Sequence, residues 1–179
     1  LKELKSFNEA LKNYDVAIKL KSDYSTAYLN RGIVLHDLKR FDEAIKSYDK
    51  AIQLKSDYAE AYNFRGVALL YLACFNEADK SYDKAIQLKP NYIEATFHKS
   101  FLKLLLGKYS EGWELYESRK YKEDLKKNYY PESKESWLNK KYIKGKVILI
   151  YSEQGLGDTF QFCRYLPLLK KLKPKSIFF

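Results

Sequence analysis

The sequence has little of several residue types, and each scarcity argues against a class of protein. It has no run of about 18 apolar residues, so we expect no membrane-spanning helix. Its two cysteines, Cys74 and Cys163, lie far apart, which argues against a disulfide framework and favours a reducing, cytoplasmic compartment. Its two histidines, His36 and His98, lack a nearby third ligand, so we expect no metal site.

What the sequence does have is an internal repeat with a period of 34 residues. Residues 25–58 and 59–92 align without a gap, and 20 of the 34 positions are identical. A period of this length is typical of solenoids built from pairs of helices, because each pair buries its apolar face against its neighbours. The repeat therefore predicts a mainly α-helical stack.

Small and aromatic residues recur at fixed places in the repeat. The second copy has Tyr62, Gly66, Leu69, Ala78, Tyr82, Ala85 and Pro90 at these places, and the first has Tyr28, Gly32, Leu35, Ala44, Tyr48 and Ala51. This pattern resembles the tetratricopeptide repeat (TPR). The resemblance implies a mainly α fold, a helix–turn–helix solenoid that winds into a right-handed superhelix.

The repeat divides the chain into six predicted segments. Ser100 and Gly112 replace the Gly and the first Ala of the pattern in the third copy, which therefore reads as a terminal capping unit. We expect further repeats upstream, because the first segment lacks most of its first helix. The segments are 1–24 (second helix of a partial TPR), 25–58 (TPR), 59–92 (TPR), 93–126 (divergent TPR or capping unit), 127–144 (linker) and 145–179 (incomplete Rossmann-like part).

Within the repeats, periodicity and terminal signals predict individual helices. Asp57 and Asn91 precede helices with Glu60 and Glu94 three residues later, which predicts capping boxes. The predicted helices span about Ser25–Leu38, Asp42–Lys55, Ala59–Leu72 and Asn76–Lys89. A charge pair with a spacing of 16 residues also recurs and predicts bridges between units, at Asp15–Arg31, Asp49–Arg65 and Asp83–Lys99.

The resemblance to TPR proteins implies that partners bind on a concave face lined by the first helix of each unit. Amide and aromatic groups on this lining suit an extended peptide or a partner helix, whereas the alternative is that the aromatic residues are core. The Lys, Arg and Asn set of TPRs that clamp carboxyl termini is missing. The implied partner-binding residues are Leu29, Asn30, Ile33, Asn63, Phe64, Val67, Tyr71, Phe97, His98 and Phe101, with His36 and Asp37 beside them.

The net charge of +10 is concentrated after the repeats, since residues 127–179 hold 11 Lys and Arg against 4 Asp and Glu. Such a segment could bind nucleic acid, but no nucleic-acid-binding motif accompanies it. We therefore favour a lysine-rich solvated surface.

The last segment changes character. The β-branched run at 146–151 predicts a buried strand, the Gly155–Gly157 turn and Asp158 predict the start of a helix, and residues 176–179 begin a second strand, parallel to the first. The sequence does not match the G-x-G-x-x-G motif of dinucleotide-binding proteins, because Phe160 occupies the position of the last Gly. The segment therefore predicts the beginning of a Rossmann-like β-α-β unit.

Residues 104–179, including GKVILIYSEQGLGDTFQFCRYLPLL, resemble bacterial TPR proteins whose repeats lead into a heptosyltransferase-like glycosyltransferase domain. Such a domain has the GT-B architecture, and O-GlcNAc transferases share this layout. The resemblance implies a substrate loop at Gln154, Gly155 and Gly157, and Asp158 as the general base in inverting transfer from a nucleotide sugar. The alternative is that Asp158 only caps its helix.

Two classes of function therefore compete. The one we favour is a binding module that holds a protein or peptide partner in the TPR groove, with no cofactor. The alternative is a fragment of a nucleotide-sugar-dependent glycosyltransferase whose TPR arm presents the acceptor. Because the second Rossmann-like half is missing, we do not expect this chain alone to turn over substrate.

Overall fold

The computed structural model describes residues 2–121, 143–150 and 165–178. The chain forms two compact units, Leu1–Lys122 and Glu123–Phe179. The first unit consists of consecutive helices. These are α1 (Lys2–Leu20), α2 (Ser25–Asp37), α3 (Phe41–Leu54), α4 (Ala59–Tyr71), α5 (Phe75–Leu88), α6 (Ile93–Leu105), α7 (Tyr109–Tyr116) and a 3-10 helix (Glu117–Tyr121).

The helices pair into antiparallel hairpins, α2 with α3, α4 with α5 and α6 with α7, because the turns within each pair are only three residues long. The predicted helices α2 to α5 are confirmed, and each observed end lies within one residue of the predicted one. The chain therefore has the helix–turn–helix arrangement that the period predicts.

Each hairpin turn contains a residue in the left-handed backbone conformation. Lys39 (φ 59°), Ala73 (φ 57°) and Gly107 (φ 73°) occupy equivalent positions, 34 residues apart. The amide of Ala73 donates to the carbonyl of Leu70 at 3.0 Å, and the next amide donates to the carbonyl of Leu69 at 2.9 Å. This pair of bonds is the Schellman motif, which satisfies carbonyls that the end of a helix leaves free.

The predicted capping boxes are wrong. Tyr58 and Tyr92 are the N-cap residues of α4 and α6, and neither cap has a side-chain hydrogen bond. The chain turns through backbone bonds instead, such as the Ala61 amide to the Tyr58 carbonyl at 3.0 Å. A lysine ammonium also lies over each tyrosine ring, 4.6 Å from its centroid.

Glycine allows the two helices of a hairpin to approach closely. A Cβ added at Gly66 would lie 2.6 Å from the ring of Tyr82, and one at Gly32 would clash with the ring of Tyr48 in the same way. Both tyrosines are fully buried. The small residue is therefore required opposite a tyrosine ring of the second helix.

Successive hairpins stack through equivalent positions. Leu11 and Leu35 lie in one buried cluster, and Ile45 packs against the cluster that contains Leu69. Buried alanines belong to the same clusters, Ala51 and Ala61 to one and Ala85 and Ala95 to another.

The third hairpin departs from the pattern, as its sequence predicts. Helix α7 has 8 residues, whereas α3 and α5 have 14, and a 3-10 helix follows it. Arg119 stands at the position of the buried alanines Ala51 and Ala85, and its guanidinium lies over the ring of Tyr116. A further hairpin therefore cannot stack on α7 through an alanine contact.

The second unit contains β1 (Val147–Leu149), α8 (Leu166–Lys171) and β2 (Ser176–Phe178). The strands pair in parallel, with Val147 opposite Ser176 and Leu149 opposite Phe178. Parallel pairing is what the sequence predicts. Two strands of three residues do not establish the predicted Rossmann-like unit, because such a pair is too small to form a sheet with its own core.

Candidate functional site

The first helices of the three hairpins form one layer, since α2 contacts α4 and α4 contacts α6. The structure divides the ten predicted partner-binding residues by exposure. Leu29 and Asn63 are buried, Asn30, Ile33, Phe64, Val67, Phe97 and His98 are half-buried, and Tyr71 and Phe101 are exposed at 64% and 43%.

We call the accessible side of this layer the first-helix face. Its apolar residues lie at equivalent positions of successive helices, so they form two rows across the layer. The first row is Ile33, Val67 and Phe101, and the second is Tyr71 and Leu105, with Asp37 at the equivalent position of α2. Carboxylates at the start of α4 and α6, those of Glu60 and Glu94, complete the face.

Asn63 belongs to a buried polar chain and is not available to a partner. Its side-chain amide donates to the hydroxyl of Tyr92 at 3.3 Å, and its amide oxygen lies 2.9 Å from Nδ1 of His98. Burial, reinforced by the nearby Glu60 carboxylate, raises the pKa of Tyr92 to about 12. The expectation that Leu29 and Asn63 line an open groove therefore fails, because both side chains fill the interior.

An aromatic cluster fixes the exposed ring of Tyr71. This ring stacks on Phe41 with centroids 4.8 Å apart and planes 7° apart, and the ring of His36 meets both edge-on at 5.2–5.3 Å. Since Phe41 begins α3 and Tyr71 ends α4, the cluster links two successive hairpins and holds the tyrosine in one orientation.

A second aromatic cluster surrounds Phe101. Its ring meets Phe97 edge-on at 4.8 Å and Tyr116 at 5.8 Å, and Trp113 meets Tyr116 at 5.5 Å. Because these rings come from α6 and α7, the last hairpin also presents an exposed aromatic residue on a rigid support.

All four cations of α2, α4 and α6 are engaged in ion pairs. Arg31 bonds Asp15 at 2.8 Å and Arg65 bonds Asp49 at 2.7 Å, as the spacing predicts, and Lys99 bonds Asp83, also as predicted. The fourth cation is Lys103, which bonds Asp79 at 2.8 Å and Glu111 at 3.1 Å.

The hydroxyl of Ser81 is a partner that the sequence reasoning missed. Arg65 uses Nη1 to donate to Ser81 Oγ at 2.7 Å, and Ser81 donates to the carbonyl of Glu77 at 2.8 Å. Arg31 makes the equivalent bond to Ser47. The sequence does contain a pattern that indicates these bonds, since each serine lies 16 residues after its arginine.

The predicted substrate loop lies outside the described residues, as do Asp158 and Cys163. Cys74 is a free, half-buried thiol. In the part of the chain that the structure describes, no three His, Cys, Asp or Glu side chains are grouped so that they could hold a metal ion.

No helix within residues 2–121, 143–150 and 165–178 is both long enough and apolar enough to cross a bilayer.

Solved structures share this fold. The crystal structure of MamA is 24% identical with a TM-score of 0.60, over 65% of this chain and 68% of that one, which shows the fold alone. The first TPR of Spaghetti (RPAP3) bound to the HSP90 peptide SRMEEVD is 28% identical, with a TM-score of 0.56 over 59% and 83%. The second TPR domain of human RPAP3 in complex with the HSP70 peptide SGPTIEEVD is 25% identical, with a TM-score of 0.54 over 56% and 84%.

Family models match the repeats themselves. A model described as TPR repeat matches residues 1–39 and 34–72, and one described as tetratricopeptide repeat matches residues 59–92. No curated protein sequence matches the chain. The matches together span residues 1–92, more than half of the chain, which therefore belongs to the tetratricopeptide repeat family.

Proposed function

We propose that this TPR module binds a segment of a partner protein on the first-helix face. The observation that carries the proposal is the two rows of apolar side chains, in which Tyr71 and Phe101 are exposed yet held by aromatic contacts. Large aromatic residues with fixed orientation are the usual anchors of protein interfaces, because they bury much area and lose little conformational entropy.

The geometry suits a segment that crosses several hairpins. Val67 and Tyr71 lie four residues apart on α4, and so do Phe101 and Leu105 on α6, so each pair shares one side of its helix. Adjacent helices carry equivalent pairs, and a bound segment would meet an apolar pair at each step. Two structural neighbours support this use of the fold, since both are TPR domains in complex with a peptide.

The proposal is tested with peptides selected on the protein from a random display library and titrated by calorimetry. Tyr71→Ala and Phe101→Ala should each weaken binding about tenfold or more, the usual effect of losing an aromatic anchor. Leu20→Ala is the matched control, because Leu20 is an exposed apolar residue of α1 outside the face. Equal affinity of all three variants for the selected peptides would overturn the proposal.

A second proposal concerns the segment after residue 145. We propose that it begins the glycosyltransferase-like domain that its sequence resembles, with Asp158 as general base and a nucleotide sugar as donor. What supports it is the parallel pairing of β1 with β2 and a helix, α8, between them in the chain. A carboxylate at such a position could accept the proton of an acceptor hydroxyl.

This second proposal requires a longer protein that contains a second Rossmann-like half. Such a protein, incubated with nucleotide sugars, should release nucleoside diphosphate, and Asp158→Asn should abolish the release. The Asp124→Asn variant is a control for the loss of one carboxylate in the preceding residues. Full activity of Asp158→Asn would refute the assignment of the base.

A further inference from the structure

The charges of the first-helix face indicate what kind of segment binds there, an inference that rests on the proposed function. We infer that the bound segment carries lysine or arginine beside its apolar residues, and that it is not an acidic carboxyl terminus. Two observations support the inference. Every lysine and arginine of α2, α4 and α6 is already ion-paired, and three carboxylates beside the apolar rows are exposed.

The cations of the layer are not available to hold a carboxylate ligand. Arg31 and Arg65 each donate to an aspartate of the preceding helix, α1 or α3, and to a serine of their own hairpin. Lys99 and Lys103 are largely buried, and both pair with carboxylates of α5. A partner carboxylate at either arginine would also face, at short range, the aspartate that already neutralises the guanidinium.

The carboxylates of the face remain open to a partner. The Asp37 and Glu60 side chains are 48% and 41% exposed, and Glu94 is also exposed. Asp37 lies 3.6 Å from Nδ1 of His36, beyond the length of a good hydrogen bond. Glu60 lies 3.4 Å from Lys89, a distance at which the pair is weak and solvated. A lysine or arginine of the ligand can therefore approach each carboxylate without breaking a strong bond.

Asp37 is the carboxylate that helix stability does not explain. It is the last residue of α2, where the negative end of the helix dipole disfavours an anion, whereas Glu60 and Glu94 lie in first turns that favour one. Asp37 also stands at the position that Tyr71 and Leu105 occupy in the next two helices. It therefore places negative charge directly at the end of the second apolar row.

The net charge of the whole chain predicts the opposite preference. At +10, the chain should attract acidic peptides non-specifically, and most of this charge lies in residues 127–179 rather than on the face. The peptides held by the two RPAP3 domains, SRMEEVD and SGPTIEEVD, end in acidic residues. A preference for basic segments would thus come from the face and not from the overall charge.

The test is a random peptide display library selected on the whole chain at physiological salt and read by sequencing. We expect Lys and Arg to be enriched over Asp and Glu in the retained peptides. The selected peptides should bind about fivefold more weakly to the Asp37→Asn/Glu94→Gln variant, which corresponds to about 1 kcal/mol for an exposed charge contact. The Asp42→Asn/Glu77→Gln variant changes the net charge equally on α3 and α5, and it should bind normally.

The outcomes separate the two proposals. Enrichment of acidic peptides, or of neither charge, overturns the inference and leaves the binding function intact. Equal weakening by the face variant and by the control variant also overturns it, because the effect is then one of net charge. Retention of no peptide refutes the proposed binding function, and the inference falls with it.

Discussion

Lys103 Nζ donates to Asp79 Oδ2 at 2.8 Å at the junction between the second and third hairpins, whereas at the preceding junction the equivalent residues, Leu69 and Ile45, belong to one apolar cluster. The two residue pairs are equivalent, since each member lies 34 residues from its counterpart. One buried apolar contact of the stack has therefore been replaced by an ion pair. Burial lowers the pKa of Lys103, but its hydrogen bonds to Asp79 and Glu111 outweigh this effect and the pKa is raised overall.

Restoring the apolar contact should not weaken the fold. The double variant Asp79→Ile/Lys103→Leu should unfold in urea with a free energy equal to or above that of the wild type, because a desolvated ion pair gains little over a packed apolar pair. Each single variant should lose about 1–3 kcal/mol, because it removes the shortest ion pair of the remaining charge and leaves only Glu111 beside Lys103, or Lys99 beside Asp79. Single variants as stable as the double would contradict a role of the pair in joining the hairpins.

The turn residues allow a test of backbone strain. Ala73→Gly should stabilise the protein by about 0.5–1 kcal/mol, because a left-handed conformation strains any residue with a Cβ. Gly107→Ala is the reverse change, and a Cβ at Gly107 would meet nothing within 4 Å, so its effect is one of backbone conformation alone. Thermal unfolding should show shifts of opposite sign. Shifts of the same sign would mean that the turns are not equivalent.

Arg31 and Arg65 each donate to an aspartate and to a serine, and this double bonding predicts that the repeats respond differently to exchange of arginine and lysine. Arg65→Lys should lose about 0.5–1.5 kcal/mol, because lysine cannot bond Asp49 and Ser81 together. Lys99→Arg should gain nothing, since Leu115 stands where the serine would be. Urea unfolding of both variants measures the difference. A gain for Lys99→Arg as large as the loss for Arg65→Lys would show that only the aspartate contact matters.

Buried tyrosines make the stability depend on alkaline pH. Burial raises the pKa of Tyr48 and of Tyr82 above the ordinary value near 10. Asp37 adds a smaller contribution at Tyr48, and Tyr71 does so at Tyr82. Since the folded-state pKa is the higher, this contribution to stability is complete below pH about 10 and is lost as the pH rises towards the folded-state pKa.

The check is the free energy of unfolding as a function of pH in the Tyr48→Phe/Tyr82→Phe variant. Neither hydroxyl has a hydrogen-bond partner among the described residues, so the variant should be nearly as stable as the wild type at pH 7. Above pH 10 its stability should fall less steeply. Parallel pH curves for the two proteins would show that other groups cause the alkaline loss.

Most of the helical stack could be predicted from the sequence because its physical cause is periodic. The spacing of Gly66, Tyr82 and Ala85 reports a packing requirement that repeats every 34 residues, and the structure shows glycine against a tyrosine ring. The interhelical pair of Asp49 and Arg65 could be predicted for the same reason, since its spacing recurs.

The predictions that failed concern residues whose contacts the local sequence does not reveal. Asp57 has the residue type of a helix cap, yet the chain enters α4 through the backbone of Tyr58. Asn63 has the residue type of a surface amide, yet Tyr92 and His98 satisfy it in the interior. Only the stacking of the next hairpin brings those two partners to it. The roles of the partner-binding residues and of Asp158 stay predictions.

Amide NMR titration of the chain with a selected peptide shows whether partners bind on the first helices. We predict that the largest chemical-shift changes occur in α4 and α6, around Val67, Tyr71 and Phe101, and that they disappear in Tyr71→Ala. Changes confined to the exposed sides of α3 and α5, with the first helices unaffected, would show that the partner binds elsewhere.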